Sequence, residues 1–300
     1  MNVQLPMRKA GVWLAAIFVA LALSACSPRQ MIVGGLADEL SSQGEAPEGD
    51  LELARDAAPF YLKLSESVLR QNPGQARLAE SVAAGFTQYA YAFVAFEADK
   101  VEGKNMAEAD RLRRRAAGLY ERAYRHAMAA LEAGTPGFSA RLASAKPADW
   151  LALRAEQAGL AYWAAAAWGG WISLSKDHPD IVADLPQAVR LAQLAWAADP
   201  AWGKGALTGL VATFEAARPG GSRAKAAEYF DQSFAQSGQQ SPGALVGKAE
   251  SIAQPAGDRA EFERLLRQAL ALPTPAAPSL NDAVMRQRAQ WLLEQADSLF

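Results

Sequence analysis

The stretch DLPQAVRLAQLAWAADPAWGKGAL, residues 184–207, carries the reading of the fold. From Leu185 to Ala198 its apolar residues recur at spacings of three and four, the pattern of an amphipathic helix and not the alternation of a strand. Asp199-Pro200 interrupts the run. A second run extends from Gly203 to Ala217, where Pro219-Gly220-Gly221 closes the pair. Two further pairs come next: Ser222 to Gln236 with Pro242 to Ala253, and Asp258 to Leu272 with Leu280 to Ser298, the last two joined by PTPAAP.

The pairs also resemble one another. RLAQLAWAAD begins at Arg190, YFDQSFAQSG at Tyr229 and RLLRQALALP at Arg264, offsets of 39 and 35 residues, near the roughly 34-residue period of tetratricopeptide (TPR) repeats. The expectation is an all-α chain of TPR-like helical hairpins, an α-solenoid with a concave inner surface. A helical-hairpin bundle with short turns is the other reading, and it is all-α as well.

Toward the N-terminus the helical period continues. A long helix is expected from Trp150 to Leu174, stopped by His178-Pro179, and another from Met106 to Ala133, stopped by Gly134, Pro136 and Gly137. The segment before it, ARLAESVAAGFTQYAYAFVAFEADK, sets Phe86, Tyr89, Phe93 and Phe96 at spacings that predict one aromatic stripe. A further helix starts at Asp50 and ends at Pro73-Gly74. Ser41 to Asp50 reads as a loop, and Met31 to Leu40 as a first short helix.

The N-terminus has a different character. Arg8 and Lys9 precede the uncharged run AGVWLAAIFVALAL, which is short for a membrane span of about 20 apolar residues. Ser24 and Ala25 come after it, then Cys26, the chain's one cysteine. This is the layout of a secretory signal, and Leu23-Ser24-Ala25-Cys26 resembles the lipobox of bacterial lipoproteins. That resemblance implies cleavage before Cys26 and covalent lipid on its sulfur, the thiolate being the nucleophile such a transfer needs. The expected division is a signal peptide over 1–25, lipid anchor, short helix and tether over 26–49, and a single repeat domain over 50–300. Ser27 after the cysteine is the pattern that enterobacteria sort to the outer membrane. The expected location is therefore the envelope, facing the periplasm, with the outer membrane favoured over the inner.

Charge argues against nucleic acid. The chain carries 30 basic and 32 acidic side chains, and losing Arg8 and Lys9 with the leader takes the net charge from −2 to −4, whereas phosphate binding needs a basic footprint. With its cysteine committed to lipid, the mature chain has no disulfide and no thiol nucleophile, and its stability must come from packing. Abundant alanine and scarce β-branched residues favour close-packed helices.

Little in the sequence speaks for catalysis. His126 and His178 are the two histidines, too few for an imidazole-rich metal site, and no G-x-S-x-G, H-E-x-x-H or phosphate-binding glycine loop is present. Asp56, Glu66, Glu97, Asp99 and Glu156 could pair for acid/base work, but solvated helix faces account for most of them. Arg111, Arg113, Arg114 and Arg115 read as a solvated face pairing with neighbouring acids. No metal is expected, and no cofactor beyond the lipid on Cys26. The aromatic residues are the better lead: Trp163, Trp168 and Trp171 fall within an arc of about 140° on an ideal helix. Trp202 lies at a repeat turn. With Tyr89, Phe93, Phe96 and Glu97, these tryptophans are the expected lining of a cleft for an apolar or amphipathic ligand or for a partner.

Taken as blocks, DLELARDAAPFYLKLSES (Asp50 to Ser67), YAYAFVAFEAD (Tyr89 to Asp99), RAAGLYERAYRHAMAAL (Arg115 to Leu131), YWAAAAWGGWISLSKD (Tyr162 to Asp177), the 184–207 stretch and RAQWLLEQADSLF (Arg288 to Phe300) cover nearly the whole mature chain. Together they resemble the tetratricopeptide lipoproteins associated with tripartite ATP-independent periplasmic (TRAP) transporters, the T component or TatT. The resemblance implies a non-enzymatic, lipid-anchored accessory protein that docks a TRAP-type periplasmic substrate-binding protein, as a homotrimer whose concave faces each receive one partner. It also implies clefts that communicate with the partner's ligand site. A histidine often follows the G-A-L block in that family; Thr208 stands there in this chain, so no imidazole role carries over. The other functional class is a general envelope scaffold or assembly lipoprotein with no small ligand.

Overall fold

The computed structural model describes residues 36–37, 39–41, 49–276 and 278–300, and among these every regular element is helical. The lipobox residues Leu23, Ser24, Ala25 and Cys26, the first part of the expected Met31–Leu40 helix and most of the Ser41–Asp50 loop lie outside the described residues. Residues 36–37 and 39–41 are helical.

Helix α1 (Leu51–Gln71) is opened by Asp50, whose carboxylate accepts from the Glu52 and Leu53 amides at 3.0 Å. Such caps satisfy amide groups that have no partner within the helix. Helix α2 (Ala76–Tyr89) runs into a π-helical segment, Ala90–Ala95, and on into α3 (Phe96–Glu102). After the Asn105 cap comes α4 (Met106–Gly134), then α5 (Phe138–Ala143) and α6 (Ala158–Ser173). Helices α7 (Pro179–Val182), α8 (Leu185–Ala198), α9 (Ala206–Ala217), α10 (Arg223–Gln236) and α11 (Pro242–Lys248) succeed them. A second π-helical segment, Ala249–Ala253, leads toward α12 (Arg259–Ala271), α13 (Leu280–Glu294) and α14 (Ala296–Leu299). Ser222, Ser241, Asp258 and Ser279 each accept from an amide one turn inside the helix they open.

The expected helix from Trp150 starts eight residues later, at Ala158. Residues 150–154 are extended or irregular because Trp150 is held elsewhere: its Nε1 donates to the Ser144 carbonyl at 2.9 Å, and Arg190 lies 4.0 Å over its ring. Arg190 also donates to the Leu142 and Ser144 carbonyls. An aromatic pinned at the junction of α5 and α8 cannot also sit in the first turn of α6.

Helix α6 is the hub of the first half. It packs against α2, α4 and α8, and Ala158, Ala161, Ala164, Ala165 and Ala167 are fully buried. A helix apolar on all sides must be surrounded, and alanine lets its neighbours approach closely. Its neighbours contribute Leu78, Val82, Leu131 and Leu191 to one core. In the second half, helices pack in succession from α8 to α13, with α9 on α10 the most extensive contact among them. Leu245, Val246, Phe262, Leu265, Leu266 and Leu292 form a second core there. The chain then returns: α13 packs against α1, and its side chains reach the first π-helical segment and α3.

Candidate functional site in the helical interior

At this seam the two ends of the chain meet on Arg288 of α13. Its Nε and Nη2 donate to both oxygens of Glu250, the closest bond being 2.6 Å, and Nη1 donates to Asp99 Oδ2 at 3.1 Å. Glu250 belongs to the second π-helical segment; Tyr91, whose hydroxyl lies 3.9 Å from Met285 Sδ, belongs to the first. π turns are rare and concentrate at functional positions, and here both supply walls of one site. The guanidinium lies 5.2 Å from the Phe96 ring centre, 5.6 Å from Tyr91 and 5.9 Å from Trp291. Phe96 meets Trp291 edge-on at 5.5 Å.

Burial would favour the neutral form of Arg288, but Tyr91, Glu250 and Asp99 outweigh it, so the guanidinium is held more firmly charged than usual. Burial drives the Tyr91 and Tyr120 phenols up, and both remain protonated. Arg113 extends the network from α4, pairing with Asp99 at 4.0 Å, Glu102 at 2.8 Å and Asp110 at 3.6 Å.

A ring-lined wall continues along α4. Tyr120 and Tyr124 are four residues apart and share a face. Tyr120 lies against Gly170, where a Cβ would come within 2.8 Å of its ring. Tyr124 meets Trp168 at 4.5 Å and Trp171 at 5.9 Å between ring centres. Its phenol is pushed up to about 12 by burial and by Asp184, whose own carboxyl is raised by burial. Trp168 is 2% exposed, and its Nε1 has no hydrogen-bond partner, a costly arrangement for an indole N–H.

On the other side of α6, Tyr162 packs against Trp163 at 4.8 Å and against Trp202 at 4.5 Å. Burial pushes the Tyr162 phenol up to about 12. Gly159 makes room for the Glu80 carboxylate and for this group, since a Cβ there would meet Glu80 first and fall 2.9 Å from Trp202 Nε1. Trp202 opens a turn in which Gly203, Lys204 and Gly205 all adopt left-handed backbone angles. Thr208 secures that turn: fully buried, its hydroxyl accepts from Trp196 Nε1 and donates to the Pro200 carbonyl, each at 3.1 Å.

The expected lining residues are thus dispersed and do not line one cleft. Trp163 and Trp202 meet, Trp168 and Trp171 share Tyr124, and Phe96 stands at the Arg288 seam. The single aromatic stripe is corrected by the π turn. Its extra residue rotates the downstream helix, so that Phe96 faces Trp291, whereas upstream Phe86 stacks on His126 and Tyr89 pairs with Phe93 at 5.5 Å. Glu97 is exposed and pairs with Lys100. The five carboxylates weighed for acid/base work are each held by cations: Asp56 by Arg55, Glu66 by Arg122, Glu97 by Lys100, Asp99 by Arg288 and Glu156 by Arg154. Arg288, Glu250, Tyr91, Tyr120, Tyr124 and Trp291 were not singled out by sequence reasoning; α13 carries Arg286 and Arg288 with Gln287 and Gln290 around them, so nothing local marked Arg288 out. Among the described residues no group of three or more His, Cys, Asp and Glu could hold a metal ion, and no helix is long and apolar enough to cross a membrane.

These features define an all-α protein of packed helices with aromatic clusters and a largely buried, ion-paired arginine in its interior. A family model described as TRAP transporter T-component matches residues 47–300. The chain belongs to that family, whose members are accessory components of TRAP transport systems of the bacterial envelope. It is also similar to a protein of Treponema pallidum (strain Nichols) that carries the name "Uncharacterized protein", 27% identical over 267 residues, 84% of this chain and 81% of the relative.

Proposed function

We propose that this protein is a non-enzymatic, lipid-anchored accessory of a TRAP transporter that docks the periplasmic substrate-binding protein, as a homotrimer, and passes or shields an amphipathic ligand among the aromatic clusters of its interior. The family match over residues 47–300 carries the transport role. The ligand role is supported by the Tyr124–Trp168–Trp171 group, where an unpartnered indole N–H beside apolar rings suits a ligand with one acceptor atom on an apolar body. Pair-by-pair packing from α8 to α13 supports a TPR-like reading of the second half. Cys26 supplies the anchor, with the outer membrane favoured over the inner.

Crosslinking in intact cells followed by affinity purification tests the docking role. The expected result is recovery of a TRAP-type substrate-binding protein, and its absence under native conditions overturns the reading. Native mass spectrometry of the same complex reads stoichiometry and any retained ligand. Replacing Cys26 with Ala is expected to move the protein from the membrane fraction to the soluble periplasm, as fractionation and immunoblotting would show.

A further inference from the structure

We infer that the outer face of α1 lies on the membrane surface beside the anchor, inserting Phe60 and Leu64 among the lipids while Lys63, Arg70 and Arg122 meet anionic headgroups. This rests on the lipoprotein reading of Cys26. Seven large apolar side chains are exposed among the described residues, and four of them, Leu36, Leu53, Phe60 and Leu64, fall between positions 36 and 64. The clustering sets this face apart from the scattered exposure that any protein surface shows. Phe60 is 76% exposed. Leu53, Ala57, Phe60 and Leu64 succeed one another at spacings of four, three and four, and so form one ridge along the helix.

Charge stands along one edge of the ridge. Glu66 is buried, and around it are Lys63 at 2.8 Å, Arg70 at 3.7 Å, His126 at 2.9 Å and Arg122 in a two-bond clamp. Three permanent cations against one carboxylate leave a positive surplus, and Lys63 and Arg70 keep more than half of their side-chain surface exposed. The acids of this face, Glu52 and Asp56, lie on the first turns of α1, where Arg55 pairs with Asp56. The surplus therefore sits over the Phe60–Arg70 half. An apolar ridge with basic residues at its border is the pattern of a helix that lies in a lipid interface, and a polybasic edge adds attraction to anionic lipid.

Chain length selects the membrane as the occupant. On the other edge of the ridge, Tyr61 donates its hydroxyl to the Leu40 carbonyl, which also accepts from Ser81. The chain is thus packed against α1 by residue 40, and residue 36 is already helical. Nine residues separate Cys26 from Leu36, ten Cα-to-Cα steps that span at most about 35 Å when extended. With acyl chains on Cys26, α1 cannot leave a thin layer next to the bilayer, where even a weak ridge is held at high local concentration.

The test uses the full chain, matured in cells and reconstituted into vesicles of phosphatidylethanolamine and phosphatidylglycerol that contain a diazirine phospholipid. Intact mass is recorded first, and photo-adducts are then mapped by peptide mass spectrometry. Adducts are expected to concentrate on residues 53–64 and to fall when phosphatidylcholine replaces phosphatidylglycerol. The Phe60→Ser, Leu64→Ser double variant, altered at exposed positions, should fall roughly tenfold, the factor given by about 1.4 kcal/mol of lost burial. An acylated chain without adducts on α1 overturns the inference alone. So does a double variant that keeps its adducts but changes oligomeric mass, which would make the ridge a contact between copies. A chain with no acyl groups overturns both the inference and the lipoprotein reading.

Discussion

Glu66 is a carboxylate that the fold cannot easily spare. It is 3% exposed and receives Arg122, Lys63 and His126. Burial alone would raise its pKa, but these hydrogen bonds prevail and hold it well below the ordinary carboxylate range. A folded-state value below the unfolded one stabilises at pH above the unfolded value, near 4.5, and the contribution is lost as pH falls through the folded value. Glu66→Gln should therefore cost about 3 kcal/mol near neutral pH, because Arg122, Lys63 and Arg70 lose their shared partner. The gap from the parent protein should narrow on acidification below about pH 4. Thermal melts of both proteins across pH would show this, and a gap that stays constant into acid would rule out charge as its source. Gly205 offers a second case. Its φ of +94° and the Ser233 carbonyl, 2.4 Å from where a Cβ would sit, exclude any side chain. Gly205→Ala should destabilise by about 2 kcal/mol or more, measured by urea unfolding. At this scale the sequence was a poor guide. Glu66 resembled any solvated helix carboxylate, because its partner Arg122 is 56 residues away.

Element-level reading succeeded where the period was regular and punctuation sharp: α4 and α8 start where the sequence placed them, and α4 ends within a residue of it. It failed at the π turns, since AYAFVA and AESIA contain nothing that distinguishes them from α-helix. The one-residue phase shift that turns Phe96 toward Trp291 was therefore invisible, and so was the Arg288 site it helps to build. Sequence found the tryptophans by spacing but could not see that Tyr124 of α4 joins Trp168 and Trp171 while Tyr162 joins Trp163 and Trp202. Arg288→Ala should leave Glu250 without its guanidinium partner and Asp99 with only Arg113 at 4.0 Å, and should cost about 3 kcal/mol, read as a lowered urea midpoint. Arg288→Met with Glu250→Gln should recover part of that loss, because a packed apolar replacement removes the unpaired charge. The walls also titrate. Tyr124 and Tyr162, raised to about 12 by burial, should ionise later than a free phenol in an absorbance titration. A raised folded-state value stabilises fully below the unfolded value near 10, so these residues make stability decline as pH climbs beyond it.

For the whole molecule, fold class was the most legible property, because alanine content, helical period and Pro/Gly punctuation all point the same way. The family blocks extended that reading to a transport system, which the match over residues 47–300 bears out. The return of α13 was not legible, as nothing in the helical period says which helices end up side by side. A row of stacked helix pairs with a free end unravels from that end, each unit melting with only its neighbour to hold it. Here the last long helix is pinned to the first half through Arg288, Trp291 and Met285, and Gly49 lies against Pro278. Terminal fraying is thereby suppressed, and the slowest-exchanging amides should include those of α13 as well as those of α6. Because α13 lies beside α1, a circularly permuted protein, opened at the exposed Pro219-Gly220 turn and joined between residues 300 and 49 by a linker long enough to span the roughly 22 Å of α13, should still fold.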